Sequence, residues 1–445
     1  NSNVVRWLAA YLRGRTASVL YQSCKSPAMI IHSGVPQGSV LSPSLYNYFV
    51  SDFPLQAPLS HSFADDIYAG RSSPDLSVIA AKLNEDMYKV EAWADGKNLT
   101  IAPEKSSLTL FTPDSHQASH HPQVFYKGKL IPLDRNPKWL GLIQDGRITG
   151  SHHASDLKVR LSRRHQIIKA LSGTSWGQSK ETLLLTYKCL MRSVMDYGCP
   201  IHYPNLSATS LNTLQVIQNS AFRTVTGCHL KSPIPFLHSE CGELMVKDHL
   251  ELLCAQYLAS AMRPSHPSHD VVTSPAGPRH MKETLHSKCI DLVEPHLTGG
   301  LMLEINYKKS IDALHSSAVT KAICAAGPNV VLGRHPPKFN PEELTLSRAH
   351  RCAIRQLKSG YCHRLNTYLH SIGKAVNDLC PECGIASHTT AHIFQCRSFP
   401  TDLILDDLWL KPREVAQFLS SLPFFIRHLP PVAPLPRRVP PGPPP

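Results

Sequence analysis

Asp65 and Asp66 stand side by side, flanked by Phe63-Ala64 and by Ile67-Tyr68. Short extended segments on either side of a polar pair predict a β-hairpin with two carboxylates at its tip. Neighbouring carboxylates repel each other, so a cleft that holds both requires a cation. Magnesium takes oxygen ligands and keeps substrate phosphates in its shell, which is the chemistry of nucleotidyl transfer by two metals. Asp65 and Asp66 are thus candidate catalytic and Mg2+-binding residues.

A second motif precedes the first, with Gly38 and Phe63 standing 25 positions apart. It runs Gly34-Val35-Pro36-Gln37-Gly38-Ser39-Val40-Leu41-Ser42-Pro43 and reads as a strand, a glycine-flanked turn and a helix starting at Ser39 or Ser42. Gly34 and Gly38 permit a backbone approach that a side chain would block. A nucleotide or template base fits such a turn.

The charge balance points to a polyanionic partner. Lys and Arg number 46 against 33 Asp and Glu, a formal charge of +13 in 445 residues. Nucleic acid is the first expectation. No apolar run approaches the roughly 18 residues of a spanning helix, so no membrane partner is expected. Thirteen cysteines at irregular intervals suit a reducing, intracellular compartment, cytoplasm and nucleus, rather than a secreted disulfide framework. The chain opens on an amphipathic segment with Val4, Trp7, Leu8, Tyr11 and Leu12, which reads as a polypeptide entered partway.

Periodicity divides the chain. Residues 1–112 mix strands and helices, with Asp75 opening a helix that carries Leu76, Ile79, Leu83, Met87, Val90 and Ala94 at helical spacing. Residues 113–150 are His-rich and Pro-punctuated and read as a connector with one hairpin strand near 124–131. Helices dominate 151–262, near 155–171, 180–197, 208–225 and 246–262. The first of them carries Lys158, Arg160, Arg163, Arg164 and Lys169, a face that suits solvent or nucleic acid equally. Residues 263–340 lack sustained periodicity and read as a loose linker with short helices. In 341–425 a helix near 342–358 sets Arg348, Arg351, Arg355 and Lys358 on one face, the better candidate for phosphate contact. Residues 426–445 form a Pro-rich tail, polyproline II or disordered.

Cys380-x2-Cys383-x8-His392-x3-Cys396 has the spacing of a small tetrahedral zinc site, with His392 and Cys396 one helical turn apart. His388 is an alternative ligand.

The turn and hairpin together, in this order, resemble the reverse transcriptases of non-LTR retrotransposons, LINE-type and jockey-like. The likeness continues through Trp93, Asn98, Ala102-Pro103-Glu104-Lys105-Ser106 and Trp139-Leu140-Gly141. It reaches the C-terminal cysteines, then Pro400, Thr401, Leu403, Leu408 and Trp409. The resemblance implies an α+β fold: a partial right-hand polymerase palm, a helical thumb-like region and a small zinc-binding C-terminal module. It implies an RNA-directed DNA polymerase acting on an RNA template, a DNA primer and deoxynucleoside triphosphates. Asp65 and Asp66 would hold Mg2+, Gln37, Gly38 and Phe63 would line the template and nucleotide pocket, and Lys105 would assist near the triphosphate. The family's first catalytic aspartate lies upstream of the segment corresponding to Asn1. The resemblance therefore implies weak or no polymerase activity from these residues alone. The alternative expectation is a non-catalytic nucleic-acid-binding remnant using Arg348, Arg351, Arg355, Lys358 and the zinc module. Oligomeric state is left open by the sequence.

Overall fold

A computed structural model describes residues 2–54, 60–112, 114–273, 284–426 and 429–432. The Pro-rich tail lies outside the described residues from position 433 onward. Residues 1–110 with 114–135 form one compact unit, and residues 111–113 with 136–445 form another.

The first unit begins with helix α1 (Ser2–Leu12), which buries none of its residues. Two short pairings follow: β1 (Thr16–Ala17) with β4 (Met29–Ile30), and β2 (Leu20–Tyr21) with β3 (Cys24–Lys25). After α2 (Ser42–Phe49) comes the antiparallel hairpin of β5 (His61–Phe63) and β6 (Asp66–Tyr68). Helix α3 (Leu76–Gly96) starts where expected, because the Asp75 side chain accepts from the Ser77 N–H and satisfies one of the orphan donors of the first turn. Its Leu83 and Val90 pack against Val124, Tyr126 and Ile131 around the hairpin β7 (Phe125–Tyr126) and β8 (Lys129–Leu130). Asn84 fixes that hairpin, donating to Gln123 O and accepting from Phe125 N, both at 2.9 Å. The stretch read as a connector thus supplies three of the five buried residues of this cluster.

The second unit opens with β9 (Lys138–Trp139) and β10 (Leu142–Ile143). Gly141 takes φ +83°, and an added Cβ there would stand 3.3 Å from the Tyr197 ring. The Tyr197 hydroxyl donates to Leu140 O at 2.6 Å, so this tight turn is moored to the helices. Those are α4 (Ser151–Ala170), α5 (Lys180–Tyr187), α6 (Ala208–Thr226), α7 (Ile234–Cys241) and α8 (Val246–Ala261). Beyond α5 the helix continues to Asp196 through one wide π turn, Lys188–Arg192. Leu157, Leu161 and Ile168 of α4 are buried with Tyr187, Leu214, Phe222 and Leu258 in one apolar cluster.

The same cluster takes in Cys289 and Val293 of α9 (Leu285–Val293) and Leu314 of α10 (Glu304–Ala326). Residues 284–326 are therefore packed structure, where the sequence suggested a loose linker. A second cluster joins α11 (Arg348–Lys358), Leu365 at the start of α12 (Asn366–Ser371), α13 (Thr390–Ile393) and α14 (Pro412–Ser421), through Ile354, Leu357, Ile393, Trp409, Leu419 and Phe425. The helix expected near 342–358 is broken in two. A 3-10 turn, Pro341–Thr345, comes first, and Ser347 then caps α11 by accepting from His350 N. No helix among the described residues is long and apolar enough to cross a membrane.

Several histidines are folded into this core in the neutral state. Burial pushes the pKa of His165 and of His202 from 6.5 down to about 4, because an imidazolium loses its hydration there. Each pKa is lower in the folded chain than in the unfolded one, so the stability involved is complete above about pH 6.5 and is withdrawn as pH falls towards 4. Thermal unfolding between pH 7.5 and pH 4.5 should show a midpoint falling steadily below pH 6.5. Each ring contributes up to roughly 3 kcal/mol to that fall, and a midpoint flat down to pH 5 would contradict the burial of these rings.

Candidate functional site

The Gly34–Pro43 turn is held by its own polar groups. Arg15 Nη2 donates to Gly34 O, Ser42 Oγ donates to Pro36 O at 2.5 Å, and Ser39 N donates to Pro36 O at 3.2 Å. Gly34 and Gly38 both adopt φ +82° with nothing within 4 Å of an added Cβ. Backbone conformation, not crowding by the protein, demands glycine at both places.

The turn faces the hairpin across a groove of about 1080 Å3. Val35, Gln37 and Gly38 line one side, Tyr46 and Asn47 of α2 lie beside them, and Ser62, Phe63 and Asp65 line the hairpin side. Phe63 pairs with Asp66 in register, leaving Ala64 and Asp65 as a two-residue loop. Ala64 has φ +51°, a left-handed conformation that costs a non-glycine residue on the order of 1 kcal/mol. That strained residue turns the carboxylate of Asp65 towards the groove. Burial and the Asp65 charge together raise the Tyr46 phenol pKa, which places the two groups in electrostatic contact. Tyr46 was not singled out from sequence, although an aromatic one turn after Ser42 in a groove-side helix was a readable signal. Asp66 heads the return strand, and Lys105 sits exposed on the 3-10 turn Pro103–Lys105; neither lines the groove. The structure thus brings together Gln37, Gly38, Phe63 and Asp65 of the expected set.

The second constellation converges fully. The ligand atoms of Cys380, Cys383, His392 and Cys396 all lie within 4.8 Å of one another. Cys383 Sγ is 3.4 Å from His392 Nε2, and Cys380 Sγ is 4.0 Å from Cys396 Sγ. A tetrahedral zinc with sulfur about 2.3 Å away sets its ligands about 3.8 Å apart, so three thiols and one imidazole here fit that ion. A tight turn builds one half: Gly384 N donates to Cys380 O at 2.9 Å, and Gly384 takes φ +65°. The backbone N–H groups of Ala386 and Ile385 draw the Cys383 thiol down to about 6, preparing a thiolate. Helix α13, capped by Thr389, presents His392. His388 is not in this group: its ring is buried, accepts from Asn366 N at 3.2 Å and packs edge-on against Phe424.

The expected basic face of α11 is corrected by its surroundings. All residues from Ala349 to Lys358 are buried. Arg348 donates to the carbonyls of Gly173, Gln178 and Thr224, satisfying acceptors in the loop between α4 and α5 and at the C-terminal end of α6. Arg351 pairs with Glu181 at 2.5 Å, Arg355 with Glu240 at 2.8 Å and Glu343 at 3.0 Å, and Lys358 with Glu343 at 2.6 Å. Lys180 joins Glu240 at 3.0 Å, and these cations draw the Glu240 pKa down to about 2. Buried charges need partners within the fold, so Arg351, Arg355 and Lys358 are committed inward and present no face to phosphate.

The other basic helix is open. On α4, Lys158, Arg163 and Lys169 are exposed and make no ion pair among the described residues, with exposed Ser162 and Gln166 between them and Ser155 just before. Arg160 is taken up by Asp156 at 3.4 Å and Arg164 by Leu190 O at 2.6 Å.

Residues 3–144 match the family model for reverse transcriptase (RNA-dependent DNA polymerase). The chain is 30% identical over 281 residues to the probable RNA-directed DNA polymerase from transposon X-element of Drosophila melanogaster, a stretch covering 58% of this chain and 30% of that protein. It is 27% identical to the RNA-directed DNA polymerase from mobile element jockey of the same species, over 49% of this chain and 24% of the relative. The jockey enzyme of Drosophila funebris is also 27% identical, over 55% and 28%. Each match spans less than a third of the relative's length. A glycine turn facing an Asp-Asp hairpin, a reverse transcriptase match over that segment and relatives from mobile elements agree: residues 3–144 carry reverse transcriptase sequence, and the chain is similar to the RNA-directed DNA polymerases of LINE-type, non-LTR retrotransposons.

Proposed function

We propose that residues 1–112 contribute the nucleotide end of an RNA-directed DNA polymerase site working by two-metal nucleotidyl transfer. The groove carries this reading, because it places Gln37, Gly38 and Phe63 against Asp65. Asp65 and Asp66 are the residues to hold Mg2+, which would neutralise the triphosphate and activate the primer 3′ hydroxyl for attack on the α-phosphate. The open backbone at Gly38 and the Gln37 side chain suit template and nucleotide. Lys105, away from the groove lining, keeps only a supporting role near the phosphates. Template RNA, primer DNA and deoxynucleoside triphosphates are the partners, in cytoplasm and nucleus.

The open face of α4 supports nucleic-acid contact independently of catalysis. Lys158 and Lys169 are 11 residues apart, about 17 Å along a helix. A serine and a glutamine between cations suit contact with phosphate and sugar. We also propose that Zn2+ occupies the Cys380, Cys383, His392, Cys396 cluster, where it would cross-link the C-terminal module.

The polymerase reading is tested in a chimera in which this chain replaces the matched stretch of the X-element protein. Primer extension on an RNA template is expected, and Asp65→Ala or Asp66→Ala should each lower its rate by a factor on the order of 10²–10³, the size of loss when one electrostatic stabiliser of a transition state is removed. Extension unchanged by either substitution would remove that residue from the metal site.

A further inference from the structure

Outside the groove and the Cys/His cluster, three donor atoms converge where the loop after α6 meets α11. His229 Nε2 is 3.0 Å from His363 Nδ1, and that nitrogen is 2.9 Å from Gln356 Oε1. The Gln356 side chain also acts electrostatically on the His229 ring. The amide is held in one orientation, since its Nε2 donates to Gly227 O at 2.7 Å. Its oxygen therefore faces the two rings. Tyr368 stacks on His229 with centroids 5.3 Å apart, and the two imidazoles meet at 72°. Gln356 is buried while both histidines are half-buried, so the trio is closed behind and reachable in front.

Protons serve this cluster poorly. Two neutral imidazoles can aim one N–H into the centre without a second N–H opposing it, and that single hydrogen must be shared between the other two atoms. A cation meets all three lone pairs at once. Neighbouring ligands about 2.1 Å from a six-coordinate ion stand about 3.0 Å apart, which is the spacing of both measured contacts. Imidazole nitrogen suits zinc, nickel and copper.

We propose that His229 Nε2, His363 Nδ1 and Gln356 Oε1 form one face of a six-coordinate site for a first-row divalent transition metal, with water completing the shell. It differs in kind from the Cys/His cluster: its donors are neutral nitrogen and oxygen, without thiolate. Cys362 Sγ lies 3.5 Å from the same amide oxygen, but burial pushes its thiol up to about 11, so it stays protonated and donates to Oε1 rather than binding metal. With no carboxylate among its donors and the Arg364 charge acting on His229, the site fills at micromolar metal, not at the far lower concentrations of a thiolate site. Filling it pins the loop after α6 to α11.

Cobalt distinguishes the two sites, because a tetrahedral thiolate ion absorbs strongly and a six-coordinate nitrogen and oxygen ion weakly. The full chain, its Cys/His cluster loaded with zinc, is titrated with Co2+ and followed by absorption and native mass spectrometry. One further equivalent is expected at micromolar cobalt, with only weak six-coordinate bands. His363→Ala and His229→Phe should each weaken that uptake roughly tenfold or more, while both still give the strong thiolate bands when the Cys/His cluster is itself loaded with cobalt, which shows that they fold. No second equivalent below millimolar cobalt in the unaltered chain would overturn the site. So would uptake unaffected by both substitutions, or thiolate bands from the second ion.

Discussion

Removing zinc should loosen far more of the chain than the turn around Cys380. The ligands Cys380 and Cys396 are buried, and Ile393 and Phe394, next to His392, belong to the second apolar cluster with Leu357 and Phe425. Helix α12 is tied to the same loop: Asn366 Nδ2 donates to Leu379 O at 2.7 Å and Thr367 Oγ1 donates to His388 O at 2.8 Å. A structural zinc site of this ligand class carries apparent binding free energy of about 10 kcal/mol or more at neutral pH, and in a module this small that energy is folding energy. Native mass spectrometry of the dialysed chain should find one tightly held zinc. After chelation, amide exchange should accelerate by orders of magnitude across 354–357, 390–396 and 415–425, and much less across 183–195. A chain that carries no zinc, or one that loses it without faster exchange at Ile393 and Phe394, would refute the structural role.

The second large effect is expected at Arg355. Arg355 is fully buried between Glu240 and Glu343, with Lys180 and Lys358 completing the network. Taking away one member of a buried ion network strands the others, at a cost of about 3–5 kcal/mol. Arg355→Ala should lower stability in denaturant by that amount, and Arg355→Met by less, because it keeps the packing volume. Adding Glu240→Gln to Arg355→Met should recover part of the loss, since the stranded carboxylate goes with it. A phosphate-binding arginine behaves in the opposite way, weakening nucleic-acid binding in proportion to salt while leaving the fold alone. If Arg355→Ala costs less than about 1 kcal/mol, the network contributes no more than surface pairs do.

The local features of this molecule were legible in its residues. An Asp-Asp pair between extended segments gave the hairpin, Asp75 gave the start of α3, and the Cys-x2-Cys and His-x3-Cys spacings gave the Cys/His cluster, because each depends on neighbours within a few positions. The basic helix was misread for the complementary reason. Arg348, Arg351, Arg355 and Lys358 do share a side, but spacing cannot say what that side meets. Two of the three carboxylates that meet it, Glu181 and Glu240, lie 170 and 115 positions away from their arginines. Helix α10 escaped notice because its apolar residues do not form one stripe: Leu314 is buried, yet Ile305 and Ile323 are largely exposed. The His229, His363 and Gln356 trio had no local signal either, since it joins atoms 134 positions apart in the chain.

The reach of Arg348 back to Gly173, Gln178 and Thr224 bears on which damaged copies of such a gene leave a stable product. A stop codon after position 340 would delete α11, leaving Glu181 and Glu240 without their arginines, the end of α6 without its donor, and the apolar surface beneath exposed to proteases. The shortened polypeptide would keep the Asp-Asp hairpin intact and still be cleared from the cell. Loss of the last hundred residues is thus expected to remove the folded product even though every residue of the hairpin is kept.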